Sequence, residues 1–305
     1  MRRVILLAGI VAGAIAMMQL AANQSTQGPP EAGDPSGVGT RPARLVSLSP
    51  GITEILFALG LGDRIVGITS HCVYPPEAAG IKQVGNWLAT NAESVIALTP
   101  DLVVISSMES AVADHLTRLG MRCLVVKQDS IGDILTSIRD IGAACGAEVE
   151  ARELSAGIQE QFRRIESAVA GQPRPRTLVA VGRDYTSRAM DQVYVAGKDS
   201  FYSELVRMAG GENAFAEGGF PYPAVSGEGI MLLNPEVILE MVPERATHGL
   251  DSGSLLAAWT SLPEVAAVKS GRVFVLDGDY MAIPGPRVVR ALTDIARKLH
   301  PEAKL

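Results

Sequence analysis

The chain has 305 residues, 47% of them hydrophobic and 20% charged, and its formal net charge is −6. This composition excludes a disordered chain and is typical of a folded protein that is long enough for two cores of ordinary size. An acidic chain without a Lys/Arg cluster argues against nucleic acid as a partner, because binding to phosphates needs a basic surface.

Residues 1–22 have the pattern of an export signal. Arg2 and Arg3 precede an apolar run from Val4 to Leu20, and small residues follow it. The run is also long enough to serve as an uncleaved membrane anchor. No cysteine lies near its end, so lipidation of the N-terminus is not supported. We therefore expect a periplasmic or otherwise extracytoplasmic protein, in which residues 23–42, rich in Pro, Gly and Ser, form a flexible linker.

The segment 43–147 alternates short β-branched runs with helical patterns. The predicted strands are 44–48, 64–69, 102–106 and 122–127, and the predicted helices are 52–62, 91–98, 110–120 and 130–146. Such alternation predicts an N-terminal α/β lobe with a mostly parallel sheet that is covered on both faces.

The alternation of strands and helices stops at residues 148–171, which form a long polar stretch without proline that ends at a glycine. The pattern predicts one helix of about 35 Å. The alternation then restarts in 172–305, with strands at 177–182, 193–197, 237–242 and 273–277 and helices at 200–211, 227–234 and 287–299. The predicted fold class is therefore α/β, with two Rossmann-like lobes joined by a single long backbone helix.

One element occurs in both lobes. ESVIALTPDLVVI begins at Glu93 and EGIMLLNPEVILE begins at Glu228, 228 − 93 = 135 positions later. Each pattern predicts a short helix that turns into a strand at a proline; the predicted caps are Asn91 and Ser226, and the prolines are Pro100 and Pro235. On spacing alone, favourable interaction with the helix dipole, worth about 0.3 to 1 kcal/mol, explains the two glutamates.

The three cysteines are Cys72, Cys123 and Cys145. Export permits disulfides, but an odd number leaves at least one thiol free. Cys123 lies in a strand-like run and Cys145 late in a predicted helix, where inert buried thiols are the favoured interpretation. The sequence alone does not determine whether Cys123 and Cys145 form a disulfide.

Six motifs in order carry a resemblance to a known family: SLSPGITEILFALG, VGITSHCVYPPEA, VGNWLATNAESVIALTPDLVV, GGENAF, FPYPAVSGE and DGDYMAIPGPR. With them, the chain from Arg44 to Leu299 resembles the periplasmic binding proteins of ABC importers for cobalamin and ferric siderophores. This resemblance implies two α/β lobes bridged by one rigid helix (the class III arrangement), with the ligand in the cleft between them. It implies a monomer that is not an enzyme and works with a permease dimer and its ATPase subunits.

The same resemblance gives Glu93 and Glu228 a role. They match the family positions at which each lobe exposes one glutamate, and each of these docks onto arginines of one permease subunit. Bidentate pairing of carboxylate with guanidinium is suited to such a contact. A permease with two-fold symmetry presents the same surface twice, so two similar lobes can meet it with two similar anchors.

The resemblance also implies a set of ligand-binding residues. They are His71, Tyr74, Trp87, Tyr222, Asp279, Tyr280 and Arg287. His71 replaces a ligand-contacting tyrosine of the cobalamin-binding members, Tyr222 and Tyr280 replace tryptophans, and Trp87 is retained. His71 has three interpretations: a nitrogen ligand of cobalt, a hydrogen-bonding partner of a ligand edge, or a solvated loop histidine.

We expect no resident cofactor, and the bound cargo is expected to be a corrinoid such as cobalamin, with a ferric siderophore or haem as the alternative. A metal-ion cargo is disfavoured, because the other histidines, His115, His248 and His300, give too few candidate ligands. The chain lacks the nucleophile-elbow, phosphate-loop and dinucleotide-binding motifs of common enzyme classes. A further alternative is a ligand sensor held at the membrane without a transport role.

Overall fold

A computed structural model describes residues 41–305 except 87–88, 188–189, 216, 244 and 246–248. The predicted signal or anchor and nearly all of the predicted linker lie outside the described residues. Among the helices that are described, none combines the length and apolar character needed to span a bilayer. The described chain forms two compact units, the first made of residues 41–160 with Ile283–Pro286, and the second of Gln161–Ala282 with Arg287–Leu305.

The first unit contains a four-stranded parallel sheet with the strand order β2-β1-β5-β6. Its strands are β1 (Leu45–Ser47), β2 (Ile65–Ile68), β5 (Leu102–Ser106) and β6 (Cys123–Val126), and a small hairpin adds β3 (Gly85–Asn86) and β4 (Ala89–Thr90). β1 and β5 are buried along their whole length. This burial is expected for a parallel sheet covered on both faces, so the sequence prediction for this lobe is confirmed.

The helices of the first unit follow its strands. They are α1 (Pro50–Ala58), α2 (Ala92–Ala97), α3 (Ser110–Arg118) and α4 (Ile131–Cys145). α1 begins with Pro50 at its first position, and α4 ends at Gly146, whose φ of 69° is the left-handed conformation that glycine adopts without steric cost. Val46, Val95, Val103 and Leu116 pack into one core cluster of this unit.

The segment 283–286 belongs to the first unit, although the sequence assigned it to the C-terminal lobe. Gln128 Nε2 donates a hydrogen bond of 2.7 Å to the carbonyl of Pro284. Gly51 permits this approach, because a Cβ at position 51 would lie 2.5 Å from that carbonyl oxygen. The lobe boundaries predicted from the sequence otherwise stay predictions.

The long helix predicted from the sequence is present as α5 (Glu148–Val169), with 22 residues and a length of about 33 Å. The division between the two units falls within it, after Glu160. Its buried side chains, among them Ala151, Ile158 and Phe162, recur at helical spacing, so that one face of the helix is buried.

The second unit contains a mixed sheet with the order β10-β8-β7-β11-β12, to which β9 adds by pairing with β7. Its strands are β7 (Arg176–Arg183), β8 (Val193–Val195), β9 (Glu212–Asn213), β10 (Ala224–Val225), β11 (Val237–Met241) and β12 (Val273–Leu276). β7, β11 and β12 are parallel, whereas β8 runs antiparallel to β7. The alternation pattern does not distinguish the two directions, because the side-chain period of a strand is the same in both.

The helices of the second unit are α6 (Phe201–Met208), α7 (Gly227–Leu233), α8 (Ser252–Trp259), α9 (Ala266–Lys269) and α10 (Val288–Leu299). α6, α7 and α10 were predicted. α8 and α9 were not predicted; α9 has only four residues and therefore no helical period to detect. Trp259 at the end of α8 is fully buried in the core of this unit.

All three cysteines are free thiols in the structure, so Cys123 and Cys145 are not paired. Burial raises the pKa of all three thiols, that of Cys145 to about 11. Because the thiolate is the reactive form, a raised pKa lowers the reactivity of these cysteines relative to a free thiol.

Candidate functional site

The repeated element has the same start in both units. In the first unit the side chain of Asn91 accepts a hydrogen bond of 2.9 Å from the backbone N–H of Ser94. In the second unit Ser226 Oγ accepts one of 3.2 Å from the N–H of Gly229, 135 positions after Ser94. Both predicted helix caps are therefore confirmed.

The end of the element is also the same. Thr99 and Asn234 both adopt a left-handed backbone, with φ of 45° and 41°, one residue before the predicted proline. This conformation stops the helix and turns the chain toward the strand, as a left-handed residue commonly does at helix ends. Strands β5 and β11 then begin at Leu102 and Val237, again at the same offset.

A carboxylate joins each element to the first strand of its sheet. Asp101 Oδ2 accepts a hydrogen bond of 2.8 Å from the N–H of Arg44, and Glu236 Oε2 accepts one of 2.7 Å from the N–H of Arg176. In return, the carbonyls of Arg44 and Arg176 accept from the N–H groups of Asp101 and Glu236, each at 2.8 Å. The two elements are therefore matched in backbone and in hydrogen bonding.

Glu93 and Glu228 occupy the first turns of α2 and α7, and both are exposed. Within the described part of the chain, neither carboxylate forms a hydrogen bond or an ion pair with another side chain. The fold therefore does not use them for internal pairing, and each remains available to a cationic partner.

The loop after β2 carries two of the predicted ligand-binding residues. His71 is exposed, with Nδ1 3.4 Å from Ser70 Oγ, and Tyr74 is 38% exposed. Between them Cys72 turns inward, where its Sγ lies 3.2 Å from Thr69 Oγ1. Parallel sheets bind ligands outside the carboxyl ends of their strands, which is where this loop lies. Trp87, predicted to belong to the same site, lies outside the described residues.

Glu109 lies at the same sheet edge, after β5, and the sequence analysis did not select it. Burial raises its pKa to about 7, and its Oε2 is buried without a hydrogen-bond partner among the described residues. Its charge contributes to the raised pKa of Cys72, so the two groups are near each other. Its position just past the end of a predicted strand was the available sequence signal.

In the second unit, Asp279 and Arg287 form a bidentate ion pair. Arg287 Nη1 and Nη2 donate to the two carboxylate oxygens at 3.0 and 2.7 Å, and the Arg287 side chain is only 9% exposed. Burial acts to raise the pKa of Asp279, but the hydrogen bonds and charge of Arg287 outweigh it and lower that pKa. Arg287 therefore stabilises the conformation of the loop after β12. Its predicted role as a direct ligand contact stays a prediction.

Tyr280 lies against two cations. The guanidinium carbons of Arg287 and Arg290 are 5.7 and 4.5 Å from the centre of its ring, and its hydroxyl donates to Asp294 at 2.5 Å. Burial and this hydrogen bond raise the pKa of Tyr280. The ring lines a groove of about 270 Å³, together with Val275, Leu276, Asp277, Gly278, Met281, Asp294, Arg297 and Lys298.

Tyr222 is connected to the same region through Tyr202. The two rings meet edge to face with their centres 6.2 Å apart, and the buried Tyr202 hydroxyl donates to the carbonyl of Met281 at 2.8 Å. The structure thus links Tyr222 to the turn that carries Asp279 and Tyr280, which sequence spacing alone could not show.

A buried ion pair that the sequence analysis missed lies near the carboxyl end of β7. Arg183 Nε donates to Glu240 Oε1 at 2.7 Å, and Trp259 Nε1 donates to Glu240 Oε2 at 2.8 Å. Both charged side chains are almost fully buried, and the Tyr185 ring lies 4.9 Å from the Arg183 guanidinium carbon. Neighbouring strands bring these residues together from distant parts of the chain, so no local sequence signal marks the pair.

The described residues contain no group of three or more His, Cys, Asp and Glu side chains arranged to hold a metal ion. His115 is exposed on α3, and the buried His300 has Nε2 3.2 Å from the carbonyl of Gly210. His248 lies outside the described residues.

Comparison with known proteins identifies the family. The family model for periplasmic binding proteins matches residues 45–280. An uncharacterized ABC transporter substrate-binding lipoprotein, YvrC, of Bacillus subtilis (strain 168) is 32% identical over 271 residues, which cover 86% of this chain and 81% of that protein. The vitamin B12-binding protein of Salmonella choleraesuis (strain SC-B67) is 29% identical over 84% of this chain and 90% of its own length.

The fold has solved counterparts. The periplasmic heme-binding protein RhuT from Roseiflexus sp. RS-1, in its apo form, superposes with a TM-score of 0.71 and 26% identity over 86% of this chain and 99% of that one. Proteins of this type bind substrates outside the cytoplasm, work with permease and ATPase components and are not enzymes. The chain therefore belongs to the periplasmic binding protein family and is a substrate-binding protein of the ABC-transporter type.

Proposed function

We propose that this protein captures cobalamin or a related corrinoid and delivers it to an ABC permease through Glu93 and Glu228. The observation that carries the delivery role is a pair of exposed carboxylates, one in each unit, that have no side-chain partner in the described part of the chain and lie on elements with matching caps and turns. Internal packing explains the capped helix, the left-handed turn and the proline. The helix dipole favours an acidic residue in each first turn, but packing does not require a glutamate at the same exposed position twice.

The cargo is proposed from two further observations. A relative at 29% identity is named a vitamin B12-binding protein. The aromatic side chains Tyr74, Tyr222 and Tyr280 lie at positions that the family resemblance assigns to ligand contact, and a corrinoid offers apolar faces to such rings and polar amides at its edges. The polar side chains of His71 and Asp279 are suited to hydrogen bonds with those amides.

Haem is the second candidate, supported by the match to the haem-binding RhuT. A haem has the same flat, apolar character as a corrin ring, but it carries two carboxylates instead of amides. The guanidinium groups near Tyr280 would favour that charge.

The experiment that separates these cargoes is isothermal titration calorimetry of the purified chain with cyanocobalamin, cobinamide, haemin, ferrichrome, Zn²⁺ and Mn²⁺. We expect micromolar or tighter binding of a corrinoid. Binding of haemin or ferrichrome without any corrinoid would replace the proposed cargo with the alternative. Binding of Zn²⁺ or Mn²⁺ alone would refute both.

His71→Ala sharpens the test, with His115→Ala as its matched control because both histidines are exposed in the first unit. We expect His71→Ala to weaken cargo binding by about tenfold, since a lost hydrogen bond to a ligand is worth about 1 kcal/mol or more. The control should bind like the parent chain. If His71 ligates cobalt, cobalamin absorption bands shift on binding, and the variant abolishes that shift.

A further inference from the structure

The most exposed large hydrophobic side chain of the described residues lies beside Glu228. Leu232 is 88% exposed and Met231 is 39% exposed, both on α7. The same short helix buries Ile230 completely and packs Leu233 against the core of the second unit. Because residues four apart lie on one face of a helix, Glu228 and Leu232 form a continuous exposed surface.

The first unit has no such surface on its matching element. Position 97, which matches 232 at the 135-residue offset, is an exposed alanine, and Ile96, which matches Met231, is partly buried. The inward-facing residues agree, since Val95 and Leu98 pack as Ile230 and Leu233 do. The two elements therefore share their buried faces and differ in the face that surrounds the glutamate.

An exposed leucine by itself is common on protein surfaces. Leu232 differs because it adjoins the Glu228 carboxylate, which has no side-chain partner within the described ranges, and because the other copy of the element has alanine at the matching position. A folded core gains nothing from this leucine, whereas a contact that covers it would remove nearly a whole apolar side chain from water.

We propose that Leu232, with Met231 at its edge, forms an apolar contact with the permease subunit that receives Glu228. This inference rests on the proposed docking function. The partner surface has a cationic group for the carboxylate and an apolar depression next to it for the leucine.

Since a two-fold permease presents that surface twice, one depression receives Leu232 and the other faces Ala97. The second unit therefore makes the stronger of the two docking contacts.

The test measures binding of the full chain to the permease and ATPase subunits encoded nearest its gene, reconstituted in nanodiscs, by biolayer interferometry. We expect Leu232→Ala to weaken binding by about tenfold, which is the usual effect of losing a buried leucine side chain. Leu256→Ala is the matched control, because Leu256 is another exposed leucine of the same unit, and it should bind like the parent. The unfolding midpoint of each variant should equal that of the parent chain.

Ala97→Leu tests the symmetry argument directly. If both permease subunits carry the same depression, this variant binds several-fold more tightly, and combined with Leu232→Ala it restores most of the lost affinity. Unchanged binding of both single variants would overturn the inference.

The outcomes also separate this inference from the proposed function. If Glu93→Ala with Glu228→Ala abolishes binding while Leu232→Ala has no effect, the docking function stands and the inference fails. If the glutamate variant binds normally, the docking function itself fails. Leu232-dependent binding to empty nanodiscs would assign the surface to lipid, and Leu232-dependent self-association in sedimentation would assign it to a second copy; either result overturns the inference.

Discussion

The first and second units contain the same helix-to-strand element, yet they place different residues at matching positions. Where β5 buries Ile105, β11 buries Glu240, and where α2 exposes Ala97, α7 exposes Leu232. The caps, the left-handed residues and the strand-joining carboxylates agree in both. The backbone of this element therefore tolerates change on its buried and exposed faces, provided that the residues which start and stop the helix are kept.

The largest expected effect on stability is at the buried position where the two elements differ, Glu240 in β11 and Ile105 in β5. Glu240→Ala should lower the free energy of unfolding by about 3 to 5 kcal/mol, because it leaves the Arg183 charge buried without its partner. Urea unfolding measures this change. Ile105→Val at the matching position of the first unit should cost only about 0.5 to 1.5 kcal/mol. Equal losses would mean that the ion pair is not what stabilises this position.

The proposed docking role predicts that the two matching glutamates, Glu93 and Glu228, have similar effects. Glu93→Ala and Glu228→Ala should each weaken binding to the permease by about tenfold to a hundredfold, because each removes a charge-assisted contact worth about 1.5 to 3 kcal/mol. Together they should abolish transport while leaving cargo affinity unchanged. Transport assays in cells and calorimetry on the purified variants measure the two properties separately. Full transport by the double variant would refute the docking role.

Glu109 and Glu93 are glutamates of one unit in different environments. The pKa of Glu109 is raised to about 7 by burial, so its contribution to stability is fully present below its unfolded pKa and is lost as the pH rises through about 7. Allowing for its partial exposure, Glu109→Gln should stabilise the chain at pH 8 by about 1 to 2 kcal/mol relative to pH 4. Unfolding midpoints at the two pH values test this.

Glu93→Gln is the control for that measurement, because its exposed carboxylate has no partner among the described residues. It should leave the pH dependence of stability as it is in the parent chain. An identical pH profile for Glu109→Gln and the parent would show that the Glu109 carboxyl is not desolvated.

The smallest effect concerns the left-handed residues. Thr99 is β-branched at a φ of 45°, whereas asparagine tolerates this conformation at position 234. Thr99→Asn should therefore raise the free energy of unfolding by about 0.5 to 1 kcal/mol. Asn234→Thr should lower it by at least as much, since Asn234 Oδ1 also accepts a hydrogen bond from the N–H of Ala266. Thermal unfolding of both variants measures the two changes in stability, and changes of the same sign would contradict the explanation.

Much of the fold could be predicted from the sequence, because its signals are local. Asn91 and Ser226 mark helix starts through hydrogen bonds that span three residues, and Pro100 and Pro235 mark stops because proline has no N–H to donate. The short helix α9 and the direction of β8 could not be predicted. A four-residue helix has no period to detect, and strand direction depends on which strand lies beside it.

The sequence by itself therefore determined the two α/β units, the long helix, the repeated element and the family to which the chain belongs. Only the tertiary structure decided that Arg287 pairs with Asp279, that Tyr222 reaches the turn of Tyr280 through Tyr202, and that Leu232 is exposed. Helix caps and stops depend on contacts within a few residues, so the sequence shows them directly. Side-chain pairing and side-chain exposure depend on which distant segments the folded backbone brings together, and local sequence patterns carry no information on those contacts.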